Sequence, residues 1–271
     1  MAGPGPARLD RDSHRWTGVP LGCAGWTVRR TRATSGRMTI PRLFVDDRLA
    51  GGAEIAGRPG QAHYLAHVLR RGPGDPVHLF NGADGEWLAR IVTLRRDQAG
   101  FLAEQQLRPQ LPDTDLWLVF APLKRDATDL VVQKATELGA AALLPVLTER
   151  GNTARVNLAR LAAIAVEAAE QSERLTLPVL HPPQPLAGLL ADWPSGRILF
   201  AAAERSAAPQ LRPARGPAGL LVGPEGGFTP AELDGLRKRP FVTLASLGPR
   251  ILRAETACLA GLALLQAPGC G

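Results

Sequence analysis

Two stretches of the chain combine residue types suited to holding a small ligand. In the first, Leu220-Leu221-Val222-Gly223-Pro224-Glu225-Gly226-Gly227-Phe228-Thr229-Pro230, an apolar strand runs into a glycine-rich loop and then into a helix. Thr229 fits the N-cap, Pro230 the first helical position and Glu232 the N3 position of a capping box. A loop at the carboxyl end of a parallel strand is where α/β sheets bind ligands. Its glycines allow the backbone to approach a flat molecule. Neither GxxxxGK[ST] nor GxGxxG is present, and Glu225 repels phosphate. A ligand with an adenine, a ribose and a positive sulfonium suits this acidic, backbone-lined loop better; a plain structural turn is the competing reading. In the second stretch, Leu247-Gly248-Pro249-Arg250-Ile251-Leu252-Arg253-Ala254-Glu255-Thr256-Ala257, Gly248 and Pro249 fix a tight excursion before a helix. Arg250 and Arg253 flank two large apolar residues, an arrangement that wraps an adenine or packs beneath the loop.

A third pattern is polar. Glu167, Glu170, Gln171 and Arg174 recur at three- and four-residue spacing and so share a helix face, as a solvated face also would. Lys134 and Glu137 read as structural polar residues of an amphipathic helix. No metal is expected: His63 and His67 are four apart without a third ligand at a recognisable spacing. The three cysteines, Cys23, Cys258 and Cys270, form no CxxC pair and suggest neither a zinc site nor a disulfide framework.

The elements that must position these residues fall into three parts. Residues 1–37 are rich in Gly, Pro and Arg, lack an apolar period, and read as a disordered extension or as sequence upstream of a true start at Met38. Residues 38–112 read as a small β-rich, barrel-like domain. Strands are expected at 42–45, 77–80, 87–94 and 100–107, with a helical turn at 63–70 carrying Leu65, Val68 and Leu69, and a turn at Asn81-Gly82. Pro112 and Asp113 mark a linker. Residues 113–271 alternate strands (116–120, 142–147, 197–202, 219–222, 241–244) with helices (127–138, 158–174, from Pro230, 254–266). That alternation implies a mainly parallel α/β sheet with helices on both faces. Leu130, Val131, Ala135 and Leu138 are expected on the inner face of the 127–138 helix.

The formal net charge is +7, but residues 1–37 contribute +5 of it and the remainder only +2, so bulk charge argues weakly for nucleic acid. No apolar run approaches the roughly 20 residues of a membrane helix; a cytoplasmic protein without a membrane partner is expected.

The segments RLFVDD (42–47), HYLAHVLRRGPGD (63–75), KATELGAAALLPVLTER (134–150), EAAEQSER (167–174), LLVGPEGGFTPAE (220–232) and LGPRILRAETA (247–257) together resemble the RsmE-type 16S ribosomal RNA (uracil-N3)-methyltransferases of the SPOUT superfamily. They occur in family order over about residues 40–266. The resemblance implies a trefoil-knotted α/β methyltransferase domain, a preceding PUA-like β-barrel that binds RNA, a homodimer, S-adenosyl-L-methionine as cofactor, and 16S rRNA or the small ribosomal subunit as partner. Gly223, Pro224, Glu225, Gly226, Gly227, Leu247, Gly248, Ile251, Leu252 and Thr256 are the implied cofactor residues. For the chemistry, Arg253 is the first choice as the cation stabilising a uracil anion and Arg174 the second, with Glu170 a conceivable base. Arg42, Arg70 and Arg71 are placed to reach RNA phosphates. Gly151 departs from the family pattern, where Ser or Thr is more usual. The rival readings are another SPOUT enzyme acting on a ribose 2′-hydroxyl or a different base, a non-catalytic RNA-binding assembly protein, and an NAD-type dehydrogenase, the last disfavoured by the missing dinucleotide fingerprint.

Overall fold

In β1 (Arg42–Phe44), β2 (Glu54–Ala56), β3 (Pro76–Phe80), β4 (Glu86–Leu94) and β5 (Ala99–Arg108), alternate residues point into one core built from Leu43, Ile55, Val77, Leu79, Ala89, Ile91 and Phe101. This computed structural model describes residues 40–151, 156–203 and 208–267; the extension 1–37 and the proposed start at Met38 lie outside them. The five strands pair in the open order β1-β3-β4-β5-β2. The small β-barrel expected here is not closed among the described residues; β1 and β2 are the edges of the sheet. β1 and β2 are three residues each, and the Phe44 N–H of β1 is turned to the Glu170 carboxylate instead of to another strand.

Between β2 and β3 a helical turn, α1 (Gln61–His63), continues as a π-turn over Tyr64–Val68. Leu65 is buried as expected, but Val68 is 60% exposed. The wider π-turn, closed by Leu69 N–H donating to the Tyr64 carbonyl at 3.0 Å, rotates Val68 out of the face an α-turn would give it.

After the linker come β6 (Leu116–Phe120), α2 (Arg125–Glu137), β7 (Ala142–Leu147), α3 (Leu158–Gln171), β8 (Val179–Leu180), β9 (Gln184–Pro185), α4 (Leu186–Ala191), β10 (Ile198–Ala202), β11 (Ala218–Val222), α5 (Pro230–Arg237), β12 (Val242–Ala245) and α6 (Ala254–Gln266). The strands lie in the order β12-β10-β11-β6-β7-β8, with β9 also on β7, and every pair is parallel. Strands buried on both faces read as continuous apolar runs. Leu118, Phe120, Leu220 and Val222 face α2, α3 and α6, whereas Val119, Leu221, Leu199 and Ala201 face α4 and α5. On α2 the inner face is Val131, Val132 and Ala135; Leu130, expected there, is 38% exposed.

α3 ends at Gln171, three residues before its expected end, because Glu173 turns left-handed at φ 58°. The β-rich region docks on that helix end. Arg42 reaches across to donate to the carbonyls of Ala169 (2.9 Å) and Glu170 (3.0 Å), which the last turn of the helix leaves without intrahelical partners, and to that of Arg174 beyond it (3.0 Å). The Glu86 carboxylate, almost fully buried, pairs with both Arg42 and Arg108. Burial pushes the Glu86 carboxyl upward, but the hydrogen bonds from Arg108 and Arg42 outweigh it and leave the group below its ordinary range.

Candidate active site

The glycine loop leaves the carboxyl end of β11, a strand buried along its whole length. At Gly223 a Cβ would stand 3.0 Å from the Phe228 ring, so this position has no room for a side chain. Gly227 turns the chain at φ 67° into α5. The capping box forms as read. Glu232 N–H donates to Thr229 Oγ1 (3.2 Å), Thr229 N–H donates to Glu232 Oε2 (2.8 Å), and Pro230 occupies the first helical turn.

The loop is braced by Glu149 and Arg150, to which the sequence analysis assigns no site role. Glu149 N–H donates to the other oxygen of Glu232 at 2.9 Å, and Arg150 Nη1 donates to the Gly226 carbonyl at 3.1 Å. Residues 148–151 follow β7, two strands from β11, and strand order is what a single sequence does not display. At Gly151 a Cβ would lie 2.7 Å from Thr148 Oγ1, so the departure from the family pattern fits the local turn.

The second loop leaves β12, and Gly248 takes φ 128° within hydrogen-bond distance of Ser246 Oγ. It then leads to α6, whose N-cap is Arg253 in extended conformation with no capping side chain. The two loops meet in one cavity of about 580 Å³ lined by Gly223, Pro224, Glu225, Gly226, Gly227, Ile251, Leu252 and Arg253, with Val222, Leu233 and Ala257 as apolar walls. Leu247 and Gly248 line an adjoining cavity of about 340 Å³ that shares Ile251, Leu252 and Ala257. Thr256 lines neither and is exposed on α6. Ile251 is 61% exposed at the mouth. Arg253 is exposed and makes no ion pair among the described residues, with Glu255 or any other acid.

Three candidates fall elsewhere. Arg174 is buried, ion-paired with Asp113 of the linker (2.8 Å), and donates to the Thr136 carbonyl at the end of α2 and to Thr176 Oγ1. Burial lowers its basicity, with Asp113 opposing. Within this chain it joins the linker to the end of α2, away from the two loops. Glu170 accepts the Phe44 N–H at 3.0 Å and faces a different cavity. Desolvation, opposed by that hydrogen bond and reinforced by nearby Glu167, raises its pKa to about 7. It does not line the cavity of the two loops. Arg42, expected to reach RNA phosphate, is enclosed between Glu86, the α3 carbonyls and the Phe80 ring, 4.5 Å away. Arg70 is exposed at φ 54° beside the π-turn. Lys134 and Glu137 form an exposed ion pair at 2.8 Å, the structural role expected.

A parallel sheet carrying two ligand loops at its carboxyl edge, preceded by a small β-rich region, defines the class. A model of the RNA methyltransferase domain matches residues 109–266, and one of the RNA methyltransferase PUA domain matches residues 58–99. The ribosomal RNA small subunit methyltransferase E of Rickettsia conorii is 32% identical over 237 residues, covering 86% of this chain and 97% of that protein. That of Synechocystis sp. is 32% identical over 246 residues, covering 87% and 80%. The crystal structure of the enzyme of that name from Neisseria gonorrhoeae, bound to S-adenosyl methionine, is similar at TM-score 0.75 and 31% identity, covering 83% of this chain and 96% of the other. The chain belongs to the ribosomal RNA small subunit methyltransferase E family.

Proposed function

We propose that this protein transfers a methyl group from S-adenosyl-L-methionine to N3 of one uridine in 16S ribosomal RNA. The observation that carries it is the meeting of the Gly223–Gly227 loop and Ile251, Leu252 and Arg253 of the second loop in one cavity, with Arg253 free of an ion pair among the described residues. The cavity fits the cofactor: apolar walls for an adenine, exposed loop backbone for its polar edge, and the Glu225 carboxylate for a cation. Bound there, S-adenosylmethionine supplies an electrophilic methyl group. Uracil N3 lies on the pairing edge and carries a proton, so the target base must be unpaired and splayed out. Arg253, in the cavity lining, stabilises the charge that spreads to the two uracil carbonyl oxygens as the N3 proton passes to solvent water. Arg150 holds the Gly226 carbonyl and so keeps the loop in register for in-line alignment.

In the same proposal residues 38–112 bind RNA, residues 113–271 carry the chemistry, the protein acts as a homodimer in the cytoplasm, and the chain is knotted. Support for the knot lies in the β10–β11 connection. It pairs at Leu211 N–H with the Ser246 carbonyl and at Ala214 N–H with the Leu265 carbonyl, flanking the segment that leaves β12 for α6. Among the described residues no helix is long and apolar enough to cross a membrane. The test is mass analysis of nucleosides from 16S RNA incubated with the protein and cofactor. 3-Methyluridine is expected; a 2′-O-methyl nucleoside or another methylated base would move the activity within the superfamily, and no methylation would leave a binding protein.

A further inference from the structure

A second cavity, about 660 Å³, lies between the β-rich region and α3, apart from the cofactor loops. One wall is the Arg58–Tyr64 segment. The other is the α3 face bearing Glu167, Glu170 and Gln171, with a floor of Leu43 and alanines of α3. The polar groups here are largely acceptors. Glu170 keeps one oxygen on the Phe44 N–H, and its second oxygen takes no hydrogen bond among the described residues. Glu167 has no ion-pair partner among the described residues. Gln61 is spent on the Phe44 carbonyl and the Arg58 N–H, and Arg58 pairs with Asp46 at 3.0 Å at the rim. The Glu167 carboxylate and the Glu170 carboxyl, set against an apolar floor, call for a ligand that brings donors. The charge of Glu167, joined by that of Glu170 as pH rises through about 7, disfavours a phosphate, whereas Tyr64 offers a face on which a planar ring can stack.

We infer that this cavity is a subsite for an unpaired guanine of the RNA, separate from the uridine that is methylated, held by Glu167 and Glu170 and stacked on Tyr64. Guanine alone among the four bases presents two adjacent donors, N1–H and the N2 amine, on its pairing edge, matching a carboxylate's two oxygens. Uracil has one donor between two carbonyl oxygens, which the carboxylates repel. Adenine and cytosine have one amine beside an acceptor nitrogen. The inference rests on the reading that the chain binds RNA, but not on any methyl transfer. A guanine anchored here fixes the strand against α3 and the PUA-like sheet while a neighbouring uridine is splayed toward Arg253.

The test titrates the full-length protein with each of the four nucleoside 5′-monophosphates, followed by NMR, without a methyl-transfer step. GMP is expected to bind at least about fivefold more tightly than AMP, CMP or UMP, the scale of one good bidentate base contact. Glu167→Gln should weaken GMP about tenfold, and Ala163→Trp, which fills the cavity from the exposed face of α3, should abolish binding. In both variants S-adenosylmethionine affinity should match wild type, which certifies the fold. Equal affinity for the four nucleotides, or GMP binding unchanged in both variants, overturns the subsite. So does sedimentation showing that Ala163→Trp dissociates a dimer whose wild-type form ignores GMP, because the cavity would then be a contact between copies of the chain. Failure of methylation with GMP selectivity intact would count against the proposed reaction and leave the subsite standing.

Discussion

At the scale of single residues, Arg253 carries the sharpest distinction. Its guanidinium stands exposed beside the cavity without an acidic partner among the described residues, so a role in holding the loop through an ion pair has no geometry behind it. Arg253→Lys keeps the charge and loses the planar fork. Steady-state kinetics should show turnover falling on the order of 100-fold, the scale of losing an oxyanion donor. Cofactor affinity and melting temperature should stay near wild type, and higher pH should restore part of the rate because hydroxide assists removal of the N3 proton. Normal turnover in the lysine variant would end the catalytic assignment. Gly226 tests the other loop. A Cβ there would meet Arg150 at 3.4 Å, ordinary contact, but the branched side chain of Gly226→Val has to enter either that contact or the cavity. Calorimetry should find cofactor binding lost in a folded protein. The glycine loop was legible because its chemistry is local: strand, glycines, cap and helix follow one another in sequence. Arg150 was not, since it reaches Gly226 across 76 positions of sequence.

At the scale of elements, α3 shows where pattern reading went astray. Glu167, Glu170, Gln171 and Arg174 repeat at helical spacing, yet Glu173 reverses the chain before Arg174, so the fourth member leaves the face the other three share. Periodicity announces a face; it does not announce whether solvent, a cofactor or another region of the chain covers it. Here the β-rich region does, through Phe44, and the cost appears in Glu170. Its carboxyl rises from 4.5 to about 7 by desolvation, opposed by the Phe44 N–H, with Glu167 raising it and Arg42 and Arg58 lowering it. A group with a raised folded pKa contributes stability that is whole below about 4.5 and is lost as pH climbs through about 7, a linkage worth about 3 kcal/mol at most. Glu170→Gln keeps an acceptor for Phe44 and removes the charge. It should therefore melt with wild type at pH 4, and above it by several degrees at pH 8. Glu86 works in the opposite window: its lowered pKa protects the fold above the ordinary carboxylate range and gives way as pH falls. A Glu170→Gln protein that gains nothing at pH 8 would show that the carboxylate is better solvated than its surroundings imply.

At the scale of the whole molecule, the two regions are joined by arginines that the sequence offered as RNA ligands or catalysts. Alternation of strands and helices gave the parallel sheet with helices on both faces, and the turn signals gave most of the β-rich region. The joint between them depends on contacts such as Arg42 to Ala169, 127 positions apart, which no local pattern encodes. A buried arginine and an exposed one separate cleanly in a salt titration. Each phosphate contact adds about 0.7 to 0.9 to the slope of log affinity against log salt concentration. Arg70→Ala, at an exposed guanidinium, should weaken RNA binding most at low salt and lower that slope by about one contact. Arg42→Ala should leave the slope at the wild-type value, because its guanidinium is engaged by Glu86 and the α3 carbonyls instead of RNA. It should instead destabilise the fold by about 3 kcal/mol, since Glu86 then stays buried with only Arg108 as its arginine partner and the end of α3 loses its donors. Calorimetry reads the second effect and binding isotherms at several salt concentrations read the first. A lowered slope in Arg42→Ala with an unchanged melting temperature would return Arg42 to the RNA interface, and with it the view that the first strand presents its arginine to solvent.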